Sequence, residues 1–220
     1  MRKTQFVPEE IYHLCGRGNE KQKLFLDARD YARFLFLILY FQGNVSINHI
    51  SGYVSFFVKR RAFDISKKLE NKLLAKRTVE LVSFAIMPNH FHMIVEESEE
   101  NGISEYMQRV LTAYAKYFNT KYKKSGHVFQ GPFRAVHIED NEQLMYTSAY
   151  VHRNPREIKG WKHKEHTYLW SSYQDYLGEN RWGEFLKPDS ILEQYGNTNE
   201  YKKDVDGSGA KDFSDELMNP

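Results

Sequence analysis

The apolar residues of this chain change period as it runs. Ile11-Tyr12-His13-Leu14-Cys15 reads as a strand, stopped by the turn Gly16-Arg17-Gly18-Asn19. Asp27 then caps a helix whose apolar face runs through Tyr31, Phe34, Leu35, Ile38 and Leu39 to Gly43. Residues 44–78 fit less cleanly: Ile50 to Val58 suits helix or strand, and Ile65 to Arg77 reads as a basic amphipathic helix. Val79 to Met87 is an apolar strand, and Pro88-Asn89 turns it into a second strand from His90, giving an antiparallel hairpin. A helix follows from about Ser104 to Tyr122, with Met107, Val110, Leu111, Tyr114 and Phe118 on one face, so that Tyr114 is most simply core. Gly126 breaks it. His127 to Gln130 and Phe133 to Ile138 read as short extended segments around Gly131-Pro132. Asp140 caps a last helix from Asn141 to Asn154, ended by Pro155 because the residue before proline disfavours helical angles.

Strand, helix, strand, strand, helix, strand is the order of a ferredoxin-like α+β fold, an antiparallel sheet with helices packed on one face. The opposite face is then available for a site. Residues 1–180 are predicted to form one domain with a basic insertion at about 44–78. Residues 181–220 are a C-terminal extension expected to be partly disordered, since Gly207-Ser208-Gly209 lies among charges. No internal repeat is visible.

Composition narrows the class. A chain of 220 residues with 41% hydrophobic content can bury a real core, and 27% charged residues with a mean hydropathy of -0.67 point to a water-soluble protein. The longest apolar run, Phe34 to Phe41, is far too short to span a bilayer. The polar start Met1-Arg2-Lys3-Thr4-Gln5 lacks the apolar stretch of a signal peptide, and a cytoplasmic location is expected. Cys15 is the one cysteine, which excludes disulfides within the chain and thiolate metal clusters. The net charge of +2 hides an uneven distribution: Arg109 to Val136 holds Arg109, Lys116, Lys121, Lys123, Lys124 and Arg134 with no acid, while the stretch from Glu200 is acidic. Interleaved Tyr114, Tyr117, Phe118, Tyr122, Phe129 and Phe133 tilt the basic stretch toward nucleic acid, cations holding phosphates and rings stacking on unpaired bases. An ordinary solvated helix face is the alternative.

The chemistry centres on His90-Phe91-His92. Strand alternation projects both imidazoles from one side while Phe91 enters the core, so the pair can chelate one divalent metal. By spacing alone, two unremarkable histidines are an equally good reading. Tyr146, Tyr150 and Asn154 are four apart on the last helix and share a face. Tyr150 can supply a phenol and Asn154 a neutral oxygen, the third donor of a mixed site with open positions suited to Mg²⁺ or Mn²⁺. The plainer alternative makes Tyr150 a core aromatic and Asn154 a helix end.

Four segments in order carry a resemblance: Tyr12-His13-Leu14-Cys15-Gly16-Arg17-Gly18-Asn19, Met87-Pro88-Asn89-His90-Phe91-His92-Met93-Ile94-Val95, Gly126-His127-Val128-Phe129-Gln130-Gly131 and Tyr150-Val151-His152-Arg153-Asn154-Pro155. Together they resemble the IS200-like single-tyrosine transposases, in particular the REP-associated tyrosine transposase branch, over roughly residues 5–177. The resemblance implies a metal-dependent nuclease and strand transferase acting on single-stranded, hairpin-bearing DNA. It implies that His90, His92 and Asn154 bind Mg²⁺ or Mn²⁺ and that Tyr150 is the nucleophile, forming a 5′-phosphotyrosine link. Arg17, Lys116, Lys121, Lys123, Lys124 and Arg134 are the candidate DNA-binding cations. The family pattern allows homodimers, whose tyrosine helix serves the partner, and monomers alike. His152 points about 100° away from Tyr150 on the helix and is not assigned as general base. A hairpin-binding protein that has lost catalysis, and a small metal-dependent hydrolase with no DNA role, are the competing readings.

Overall fold

The computed structural model describes residues 5–209. Strand β1 (Ile11–Arg17) leads to helix α1 (Ala28–Tyr40), and helices α2 (Ile50–Arg60) and α3 (Lys67–Leu74) follow before strand β2 (Val79–Met87). Strand β3 (His90–Glu97), helix α4 (Gly102–Tyr122), strand β4 (Arg134–Ile138) and helix α5 (Asn141–Arg153) complete the predicted order. Beyond them lie the short helices α6 (Tyr173–Leu177) and α7 (Asp189–Leu192), then α8 (Thr198–Gly207). The sheet is antiparallel throughout, in the order β2-β3-β1-β4, the strand order of a ferredoxin-like fold. Among the described residues no helix is long and apolar enough to cross a membrane.

Local chemistry sets the helix starts. The Asp27 carboxylate accepts from the amides of Arg29 and Asp30, and the Asp30 side chain accepts in return from the Asp27 amide. This reciprocal cap fixes where α1 begins. Strand alternation then divides the core. Tyr12 and Leu14 of β1, with Phe91, Met93 and Val95 of β3, face α1 and α4, where Phe34, Met107, Val110 and Tyr114 are buried. The other face carries Val82, Ala85, Ile94 and Ile138 and is partly covered by α5, α6, α7 and α8 through Leu144, Ala149, Tyr150, Val151, Tyr173, Tyr176, Ile191 and Tyr201. The site lies on this second face. Gly16 lets β1 run close over Phe91: a Cβ there would come within 2.7 Å of the Phe91 ring.

Four local features differ from the sequence pattern or resolve it. Ile50 to Val58 is helical, with Val54 and Phe57 buried on the face toward α1. The helix predicted over 65–77 shortens to Lys67–Leu74, because the next residues leave it to pair with the segment that follows α1: Gly43 bridges Arg77, and the Thr78 amide donates to the Gln42 carbonyl. His127 to Gln130 is loop, not strand, yet it is tied to the turn after β1 by Gln130 N–H to the Arg17 carbonyl and Asn19 N–H to the Val128 carbonyl. Pro155 ends α5 but the chain winds on as a 3-10 turn over Asn154–Glu157, whose first turn needs no proline N–H. In the C-terminal extension, Asn197 caps α8, which packs on α5. The part of the expected disorder that falls on residues 210–220 lies outside the described residues.

Candidate active site

Antiparallel register places His90, His92 and Ile94 of β3 on the same sheet face as Arg17, Cys15 and His13 of β1, their respective partners. The His90 and His92 rings stand nearly perpendicular, 84° apart in plane and 5.1 Å between centroids. Each has Nδ1 engaged: that of His90 lies 2.8 Å from Asn89 Oδ1, and that of His92 lies 3.0 Å from His13 Nε2. Burial holds His13 down to about 4, so its ring is neutral at ordinary pH.

Helix α5 brings the second half. Asp140 caps it, its carboxylate accepting from the Gln143 amide at 2.7 Å. The Tyr150 ring meets the His92 ring edge-on at 5.2 Å and the His13 ring edge-on at 5.9 Å. One turn on, Asn154 donates from Nδ2 to the Tyr150 carbonyl at 3.0 Å, and its Oδ1 lies 3.4 Å from His90 Nε2. Burial pushes the Tyr150 phenol above its ordinary value, with its hydrogen bond to Asn154 acting in the opposite sense. The four residues His90, His92, Tyr150 and Asn154 are thus brought together.

The candidate cations divide. Arg17 and Arg134 line a cleft of about 250 Å³ together with His90, His92, Lys21 and Gln130. Lys116, Lys121, Lys123 and Lys124 belong to α4 and its C-terminal end, which packs on the other side of the sheet. Lys121 is held by Asp27 at 2.8 Å and by Asp30 at 2.6 Å. The Lys124 ammonium sits over the Phe118 ring, and Lys116 lies beside Tyr117 on a separate surface hollow.

Two residues of the site carry no assignment from the sequence. Lys21 sits at the end of the turn after β1, in a left-handed conformation that brings it to the cleft. His13 stands in the same quoted segment as Arg17, an even number of residues before it, and strand alternation alone would have put both on one face. His152 is buried away from the cleft between Tyr201 and Ser172, its Nε2 2.8 Å from Ser172 Oγ. Burial lowers it to about 3, and it does not reach the tyrosine phenol's side of α5.

Two imidazoles and an amide oxygen, from His90, His92 and Asn154, are a mixed donor set that could take a divalent cation. Among the described residues no three His, Cys, Asp or Glu side chains gather as a metal site. Adjacent ligands of an octahedral ion at about 2.1 Å are about 3 Å apart. The 3.4 Å between His90 Nε2 and Asn154 Oδ1 is close to that spacing.

Comparison with known proteins bears on the fold and the family. No curated protein matches the chain. A solved structure described as a REP-associated tyrosine transposase bound to a REP hairpin superposes with a TM-score of 0.51 at 14% identity, covering 81% of this chain and 86% of that one, a likeness of fold. The family model for IS200-like transposases matches residues 43–154, just over half of the chain, including the histidine strand and the whole of α5. The chain therefore belongs to the IS200-like transposase family, a family of DNA-processing enzymes.

Proposed function

We propose that this protein cleaves and rejoins hairpin-bearing single-stranded DNA through a covalent link to Tyr150. The carrying observation is the meeting of two elements distant in sequence, with Tyr150 edge-on to His92 and Asn154 Oδ1 facing His90 Nε2. His90, His92 and Asn154 would hold Mg²⁺ or Mn²⁺. When bound, that ion supplies Lewis acidity that offsets charge developing on the nonbridging phosphate oxygens.

The chain's own residues do the rest. The Tyr150 oxygen, having lost its proton, attacks the phosphorus, the bond to the 3′ oxygen breaks, and that oxygen leaves as a 3′-hydroxyl once protonated. The DNA 5′ end remains esterified to Tyr150. The phosphodiester count is conserved, so a second 3′-hydroxyl can reverse the step at a new junction. Asn154 ties its side chain to the Tyr150 carbonyl, which couples tyrosine and ligand on one helical turn. Arg17, Lys21 and Arg134 line the cleft and are suited to the phosphates on either side of the scissile one. Lys116, Lys123 and Lys124 would reach DNA only if the hairpin stem wraps to the α4 side of the sheet.

The solved structure resembling this chain is bound to a REP hairpin, which favours a hairpin over an unstructured strand. The test is incubation with Mn²⁺ and a labelled single-stranded hairpin oligonucleotide, followed by denaturing electrophoresis. A denaturation-resistant adduct, lost on chelation, is expected. Hairpin binding with no adduct would support the binding-only reading instead.

A further inference from the structure

The two histidines of the strand are presented in the same way by different partners. His90 has Nδ1 against Asn89 Oδ1, an acceptor, so the ring donates there and turns Nε2 toward Asn154. His92 has Nδ1 against another imidazole, Nε2 of His13. The His13 and His92 rings are within 14° of parallel and 5.2 Å apart between centroids, with the two nitrogens only 3.0 Å apart. Rings lying face to face would not combine those numbers; the pair meets edge to edge, along an in-plane hydrogen bond.

The contact is preorganised. His13 lies on β1, which pairs with β3 on one side and β4 on the other, and it sits diagonally across from His92 in the register. Both rings are buried, at 2% and 0% exposure, and the Tyr150 ring closes against their edges. A hydrogen bond between two imidazole nitrogens holds one proton, so the two directions of donation are mutually exclusive. If His13 donated, His92 would carry its proton on Nε2 and could not offer a lone pair there.

We propose that His13 is a positioning residue that fixes the tautomer of His92: Nδ1–H of His92 donates to Nε2 of His13, making Nε2 of His92 the nitrogen presented as a metal ligand. This rests on the reading of His90, His92 and Asn154 as the metal donors. Outer hydrogen bonds of this kind orient a ligating histidine and raise its basicity, and their loss costs about 10–100-fold in metal affinity. His13 acts through His92 and touches neither metal nor DNA in this account.

Two measurements decide it. In wild-type protein carrying ¹⁵N-labelled histidine, long-range ¹H–¹⁵N correlation with and without Mg²⁺ reads the His92 tautomer, its signals assigned by their loss in His92→Gln. Protonated Nδ1 with bare Nε2 is expected in the Mg²⁺-bound form, and an Nε2–H tautomer there overturns the proposal. Mn²⁺ titration then compares His13→Met, which removes the acceptor, with His13→Gln, which keeps one. A 10–100-fold weaker Mn²⁺ affinity in the first, largely recovered in the second, with hairpin binding in chelator unchanged, is the expected pattern. Wild-type affinity in His13→Met overturns the role of His13 while leaving the metal site standing. A wild type that binds neither ion overturns the metal site itself, and the inference with it. Should His13→Met fail to fold, the wild-type tautomer measurement alone decides.

Discussion

The amide oxygen of Asn154 lies 3.4 Å from Nε2 of His90, a residue 64 positions earlier in the chain. The other end of the same amide donates to the Tyr150 carbonyl. One side chain therefore registers the tyrosine helix against the histidine strand.

Asn154→Ala removes the proposed ligand oxygen and one buried hydrogen bond. The hydrogen bond is worth about 1 kcal/mol, so the fold survives. Mn²⁺ affinity measured by titration should fall by roughly tenfold or more, by analogy with the loss of other metal-site contacts. Hairpin affinity in the presence of chelator should be unchanged. Equal Mn²⁺ affinity in variant and wild type would remove Asn154 from the site.

Gly16 is a steric prediction on the opposite face of the sheet. A Cβ at that position would stand 2.7 Å from two atoms of the Phe91 ring, and Phe91, which lies between His90 and His92 in sequence, is wholly buried on the α1 and α4 side of the sheet. Gly16→Ala should destabilise by about 1–3 kcal/mol, the usual cost of overpacking. Because Phe91 must shift, the histidine strand moves with it. Adding Phe91→Leu should recover part of the lost melting temperature; no recovery would place the strain elsewhere.

How far the site could be read from sequence depends on which contacts are local. The hairpin and its histidines were legible because apolar strand-forming runs broken by Pro88-Asn89 are a local property of Val79 to Val95. The tyrosine helix was legible for the same reason, through Asp140 and the spacing of Tyr150 and Asn154. Residues 50–58 were ambiguous because apolar Phe56 and Phe57 are adjacent, one 40% exposed and the other fully buried. Lys121 looked like a free cation, whereas Asp27, 94 positions away, neutralises it in the fold. The His13 contact to His92 depends on which strands are neighbours and in what register, and no local pattern encodes that.

The C-terminal extension is predicted to support the tyrosine helix. Tyr201 of α8 is fully buried, and its hydroxyl bonds Ser148 at 2.7 Å and His152 on the turns flanking Tyr150. Tyr201→Phe strips both partners and should cost about 1–3 kcal/mol, read as a lower melting temperature. If α8 merely rests on the surface, the variant will melt with the wild type.

The same cluster makes stability depend on pH. Burial lowers His152 from 6.5 to about 3, so between those values the unfolded chain binds a proton that the folded chain does not. The stabilisation is complete above about pH 6.5 and is lost progressively as pH falls toward 3. Melting temperatures taken from pH 7.5 down to pH 4.5 should fall less steeply in His152→Gln than in wild type. Parallel slopes would mean that His152 titrates normally in the folded protein.

The central claim is that Tyr150 bonds to DNA, and peptide mapping of the adduct tests it most directly. Trypsin releases residues 135–153 as one peptide carrying both Tyr146 and Tyr150, which fragment ions tell apart. The account predicts the nucleotide mass on Tyr150 and no adduct from Tyr150→Phe under conditions where that variant still binds the hairpin. Nucleotide mass on Tyr146 or on any other residue, or an undiminished adduct from Tyr150→Phe, would contradict it.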